Sequence, residues 1–143
     1  MGDTKSFSNY VKDADTNRNN ALAEYMFDLL FFAVQVHTWH LQTGSYEVHM
    51  ALGELYTGIP EVGDELAEAL MAVTQQKLPT PSKSYCLTQS TSTPEEIVKA
   101  ILTMKNIATE FFNATGDEAG INNTLANVVA LLDKAIYKIT QLR

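Results

Sequence analysis

Three histidines, His37, His40 and His49, fall within thirteen residues, and the chain has no others. A neutral imidazole offers a ring nitrogen to a transition metal, and carboxylates add the hard oxygen donors that iron takes. Acids follow close behind: Glu61, Asp64, Glu65 and Glu68. His37 and His40, three apart, share one helical face. At 100° per residue, Asp64 lies about 60° round from His49 and Glu68 about 100° round, so one arc of a helix can present all three. Other readings fit the same spacing. Acids four apart commonly cover a solvated face, and a histidine pair near a helix end often packs or caps. No Ser/His/Asp or Cys/His arrangement has a supporting context, and no glycine-rich phosphate loop is present.

The elements that must carry these residues are helices. After the N-cap candidates Asp15-Thr16-Asn17, an apolar stripe recurs at helical spacing through Leu22, Tyr25, Met26, Leu29, Ala33, Val36, His37 and His40. Gly44-Ser45 breaks it. A second stripe runs through Leu52, Leu55, Tyr56, Ile59, Val62, Leu66, Ala69, Leu70 and Val73. Pro60 inside it predicts a kink or short break near residue 57. Residues 77–93 are rich in Pro, Ser and Thr, too long for an ordinary turn. Thr93-Pro94-Glu95-Glu96 then reads as a capping box with proline at the first helical position. A third helix runs through Ile97, Ile101, Met104, Ala108, Phe111 and Phe112, ending near Thr115-Gly116. A fourth carries Leu125, Val128, Val129, Leu132, Ala135, Ile136, Ile139 and Leu142. Two short turns and one long connection predict an all-α, ferritin-like antiparallel four-helix bundle with a crossover between helices 2 and 3. Residues 1–18 are expected to be a flexible tail and 19–143 a single domain.

Composition narrows the function classes. A chain of 143 residues with 45% hydrophobic content can build one core. The single cysteine, Cys86, permits no intrachain disulfide. With 17 acidic against 10 basic residues, the net charge of −7 argues against a protein that holds nucleic acid by its phosphates. No window approaches a membrane span, and the start lacks a signal-like apolar stretch, so the chain reads as cytoplasmic. The Met1-Gly2…Ser6 myristoylation pattern and the sequons at Asn113 and Asn122 are short enough to arise by chance and are set aside.

The stretch His37-Thr-Trp-His40 resembles the H-x-x-H before the first turn of Dps-like mini-ferritins. Gly44-Ser-Tyr-Glu-Val-His49 is similar to their turn into a helix-starting histidine, and Gly63-Asp64-Glu-Leu-Ala-Glu68 to their D-E-x-A-E element. The likeness extends through Ser82-Lys-Ser-Tyr85 and Gly116-Asp117, covering about residues 20–143. The run His40-Leu-Gln-Thr-Gly-Ser-Tyr46 also resembles short tailed-phage proteins, which would place the chain in a host cytoplasm.

Carried over, the resemblance implies that His40 and His49 from one subunit, with Asp64 and Glu68 from a two-fold neighbour, bind iron and carry its oxidation. In that family iron(II) is oxidised, preferentially by hydrogen peroxide, and stored in a twelve-subunit shell. The chain departs from the pattern in two places. Gly53 stands where the family has an acid, with Glu54 beside it pointing about 100° away, and the turn between the histidines is three residues shorter. The loss of a carboxylate would weaken iron binding or favour zinc. His37 either supplies the lost ligand or sits behind the site as packing. Trp39 either quenches oxidising intermediates or packs in the core. Cys86 is a redox-active thiol or a small buried hydrophobe. A non-catalytic assembly protein on the same bundle is the alternative.

Overall fold

The computed structural model describes residues 7–142, with side chains from residue 14 onward; Met1–Ser6 and Arg143 lie outside it. Four helices follow in order: α1 Phe7–Gln42, α2 Tyr46–Thr74, α3 Pro94–Ala114 and α4 Ala119–Gln141. The expected tail differs from what is seen. Helix α1 begins at Phe7, because no glycine or proline interrupts residues 7–18 and a cap-competent Asp-Thr-Asn need not start a helix. Positions 1–6 of that tail, including the myristoylation pattern, lie outside the described residues.

Helix α2 starts on Ser45, whose hydroxyl accepts from the Val48 N–H, an orphan donor of the first turn. It ends at Gln75, which turns into the left-handed region at φ 57° and gives its N–H to Met71 O. The expected break near residue 57 does not occur: α2 runs unbroken through Pro60. Leu55, Ile59 and Leu66 are buried on either side of an exposed Pro60, so core packing supports the helix both before and after the proline. At α3, Thr93 Oγ1 accepts from Glu96 N and lies 3.0 Å from the Glu96 carboxylate, the expected cap.

The four stripes converge on one core. Leu22, Met26, Leu29, Leu52, Leu55, Ile59, Leu66, Ile97, Ile101, Ile121, Leu125, Leu132 and Ile139 are essentially fully buried, each contributing roughly 1.5–3 kcal/mol. Helix α1 packs on α2, α2 on α4, and α3 on α4, while the backbones of α1 and α3 stand further apart and meet through Tyr25, whose Oη donates to Met104 O and whose ring lies 5.8 Å from that of Phe111. Gly58 allows the close approach of α2 to α4: a Cβ there would lie 2.9 Å from Leu131 Cδ1. The gap between α1 and α3 is bridged by residues 75–93, tied to one face of α1. Tyr85 Oη donates to Asp28, Lys83 sits 2.6 Å from the same carboxylate, and Thr88 donates through both N–H and Oγ1 to Gln35 Oε1. Trp39 Nε1 completes the row by donating to Ser92 Oγ.

Helix α1 is apolar over most of its circumference, more than a surface helix needs. One face meets the core and another the 75–93 segment, leaving Leu30 and Val34 exposed (41% and 50%). No helix among the described residues is long and apolar enough to cross a membrane.

Candidate metal centre

The α1–α2 elbow brings the histidines together because three residues join the two helices. His40 ends α1 and His49 starts α2, and their rings stack with centroids 3.7 Å apart and planes 19° apart. His40 Nδ1 donates to the carbonyl of His49 at 2.7 Å, and His49 Nδ1 donates to the carbonyl of His40 at 2.8 Å. A carbonyl only accepts, so both rings carry their proton on Nδ1. In the neutral form each Nε2 is therefore a free lone pair. A metal-binding histidine is held in the same way, its other nitrogen fixed by a backbone carbonyl. The bond to His40 O also satisfies one of the orphan carbonyls at the end of α1.

Gly53 lies directly beneath this pair. A Cβ at that position would stand 3.1 Å from His40 Cε1 and 3.4 Å from His40 Nδ1. Any side chain would press on a ring that cannot yield, since His40 is held by stacking on one side and by hydrogen bonding on the other. The residue expected as a missing carboxylate is the space the His40 ring occupies. Glu54 does not replace it: its carboxylate is drawn across to Lys134 and Lys138 on α4. Hydrogen bonding from Lys138 lowers the Glu54 pKa.

His37 is not buried in the core. It is exposed and stacked on Tyr56, centroids 3.9 Å apart and planes within 3°, with the His40 ring 6.1 Å away. Tyr56, which the sequence offers only as part of a stripe, also tilts against His40 at 5.1 Å. Trp39 packs in the core at 5% exposure, edge-on to Phe32. Cys86 is exposed, which removes the buried-hydrophobe reading.

Asp64 and Glu68 are exposed on α2. Asp64 follows His49 by fifteen residues, or about 22 Å of helix, so the histidines and these acids of one chain do not meet. Among the described residues, no three His, Cys, Asp or Glu side chains of a single chain gather as a metal site. Contacts fix how α1 lies along α2: His40 over Gly53, His37 on Tyr56, and Leu30 over Gly63. The exposed Leu30 and Val34 therefore sit between the histidines and the acids, on the same edge of the α1–α2 pair.

Fold and cluster together define an all-helical four-helix protein with a half-buried two-histidine elbow. The chain belongs to DUF5856, a family of unknown function, whose model matches residues 40–139 and so takes in His40, His49, Asp64 and Glu68. Neither the curated proteins nor the solved structures give a match.

Proposed function

We propose that this chain is a Dps-like mini-ferritin, a ferritin-like antiparallel bundle whose 75–93 segment is the crossover. It acts in the cytoplasm, that of a host cell if the chain is phage-encoded. It assembles through two-fold dimers into a twelve-subunit shell, takes up iron(II), oxidises it with hydrogen peroxide and stores the ferric product. The observation that carries this reading is the pair of half-buried imidazoles whose reciprocal Nδ1 bonds fix both rings and leave the two Nε2 lone pairs uncommitted.

Helix arithmetic supplies the missing oxygens. A two-fold axis crossing α2 midway between His49 and Glu68 also falls midway between Gly53 and Asp64. Such an axis sets His49 level with Glu68 of a second copy, and His40, lying over Gly53, level with its Asp64. Through the contacts that align α1 with α2, the axis passes at about the level of Val34, so the exposed Leu30 and Val34 are covered. Apolar burial and metal ligation then favour the same dimer, and each strengthens the other by linkage. At the shared site His40 and His49 hold the metal through nitrogen, and the carboxylates stabilise the higher charge of iron(III). One peroxide takes an electron from each of two iron(II) ions and, with two protons, leaves as two waters. The acidic surface attracts cations and offers no grip on DNA phosphates.

One observation favours a second reading, an assembly protein that binds metal without turning it over: Gly53 brings no carboxylate, and a Cβ there would press on the His40 ring at 3.1 Å. The test separates the two. Wild type should accelerate the rise in ferric absorbance after iron(II) and peroxide are mixed, and His49→Ala and Asp64→Ala should each abolish it. Mixing the two inactive variants should restore about a quarter of the activity, since random pairing of subunits leaves one shared site in four intact. Oxidation no faster than in buffer sinks the enzyme. Activity without recovery on mixing sinks the shared site.

A further inference from the structure

On the opposite side of α1 from the exposed Leu30 and Val34, a cavity of about 610 Å³ opens between α1, α3 and the 75–93 segment. It exists because the α1 and α3 backbones stand apart beyond the Tyr25–Met104 contact and the 75–93 segment, tied to α1, spans the gap as a wall. That volume lies within the range of roughly 300–1,000 Å³ typical of small-molecule sites. Its apolar wall is built from two aromatic pairs, Phe31 stacked on Tyr85 at 4.9 Å and Phe32 edge-on to Trp39, together with Met104 from α3.

Two features restrict what fits. The charged groups lining it, Asp28 and Lys83, are paired with each other at 2.6 Å, so the site is electrically balanced. Gln35 lines the cavity at 7% exposure and makes only half its hydrogen bonds. Its Oε1 accepts from Thr88 N–H and Oγ1, and since an N–H can only donate, the amide orientation is fixed. Gln35 Nε2 is left buried with no protein acceptor among the described residues. A buried amide donor without a partner is costly, and a ligand acceptor placed there recovers that cost.

We propose that this cavity binds a small, neutral, planar molecule carrying a carbonyl-type acceptor, which stacks among the aromatic walls and takes the hydrogen bond of Gln35 Nε2. The site is independent of the histidine elbow and stands or falls apart from the ferroxidase reading.

Fluorenone and fluorene test it on the full-length protein, being of matched shape and differing in the carbonyl. The single tryptophan, Trp39, lines the cavity and reports occupancy by its emission. Fluorenone should quench it saturably and bind at least about five-fold more tightly than fluorene, the worth of one net hydrogen bond. Gln35→Glu keeps the acceptor for Thr88 but removes the donor, and should erase the preference. Ala100→Phe should fill the cavity and abolish binding of both probes, with circular dichroism verifying the helices. Because the probe comparison is made on wild type, a variant that fails to fold leaves the test intact. Equal affinity of the two probes, or no saturable quenching by either, overturns the proposal.

Discussion

At the α1–α2 elbow four rings lie in contact and both Nδ1 atoms are bonded, whereas across α1 the 75–93 segment is held by Asp28, Gln35 and Trp39 with one amide donor left over. The elbow is local. Its partners are nine residues apart, and the end of α1 that places His40 also leaves the orphan carbonyl to which His49 donates. The 75–93 face is long-range, its bonds joining residues 53 to 57 apart. A local cluster forms with its helices, while a long-range one depends on the whole bundle being in place. The elbow therefore has a geometry fixed by neighbouring residues, and the 75–93 face one that is assembled only when the whole bundle is in place.

The largest effect on this contrast should come from Gly53→Glu, which restores the carboxylate of the resembled family. Glutamate is the better helix former, but here its Cβ meets a ring with nowhere to go. Net destabilisation of about 2 kcal/mol is expected from overpacking and the loss of the reciprocal bonds, read by denaturant unfolding. Gly58→Ala should stay within about 0.5 kcal/mol of wild type, because the Leu131 methyls it meets can swing aside and the gain in helix propensity offsets the shift. If Gly53→Glu is as stable as wild type, the rings are not locked. Asp28→Ala comes next. It removes the acceptor of Tyr85 and the partner of Lys83, and should cost about 1 kcal/mol, since the pair is partly exposed. Proteolysis within 77–93 should rise while helix content is unchanged; an unaltered cleavage rate would mean that Gln35 and Trp39 hold the segment alone.

How much of this could be read from sequence follows the same local and long-range division. The stripes were legible because periodicity marks a face, and where they failed they failed at the rim: Val73, Phe112 and Leu142 are exposed. On α1 the stripe left out Leu30 and Val34, which are exposed, but took in His37, which is exposed as well. Pro60 was legible as a proline, but not that the helix would run unbroken through it with buried residues on both sides. That His40 and His49 flank a short turn was legible, but their exchanged hydrogen bonds were not, since these depend on the angle between two helices. Gly53 could be read only as an absent carboxylate, because the ring that fills its place comes from another helix. Nothing local announced that Asp28, Gln35 and Trp39 would hold the 75–93 segment, although all three lie on one face of α1.

The smallest effect concerns Glu54, the acid beside Gly53 that bonds to α4 instead of the elbow. Its pKa is lowered in the folded protein, first by the hydrogen bond from Lys138. A carboxylate with a depressed folded pKa contributes stability above its unfolded pKa and loses it as pH falls through the folded value. Wild type should therefore exceed Glu54→Gln in stability at neutral pH, by at most about 1 kcal/mol for an exposed pair. The two curves should converge in acid, below the usual carboxylate range, and added salt should narrow the gap at neutral pH. The same variant also probes the elbow. If Glu54 is committed to Lys134 and Lys138, then Glu54→Gln leaves metal affinity at the histidines unchanged. A fall in that affinity would mean that Glu54 leaves α4 to join the site, and the elbow would then own the carboxylate that Gly53 cannot supply.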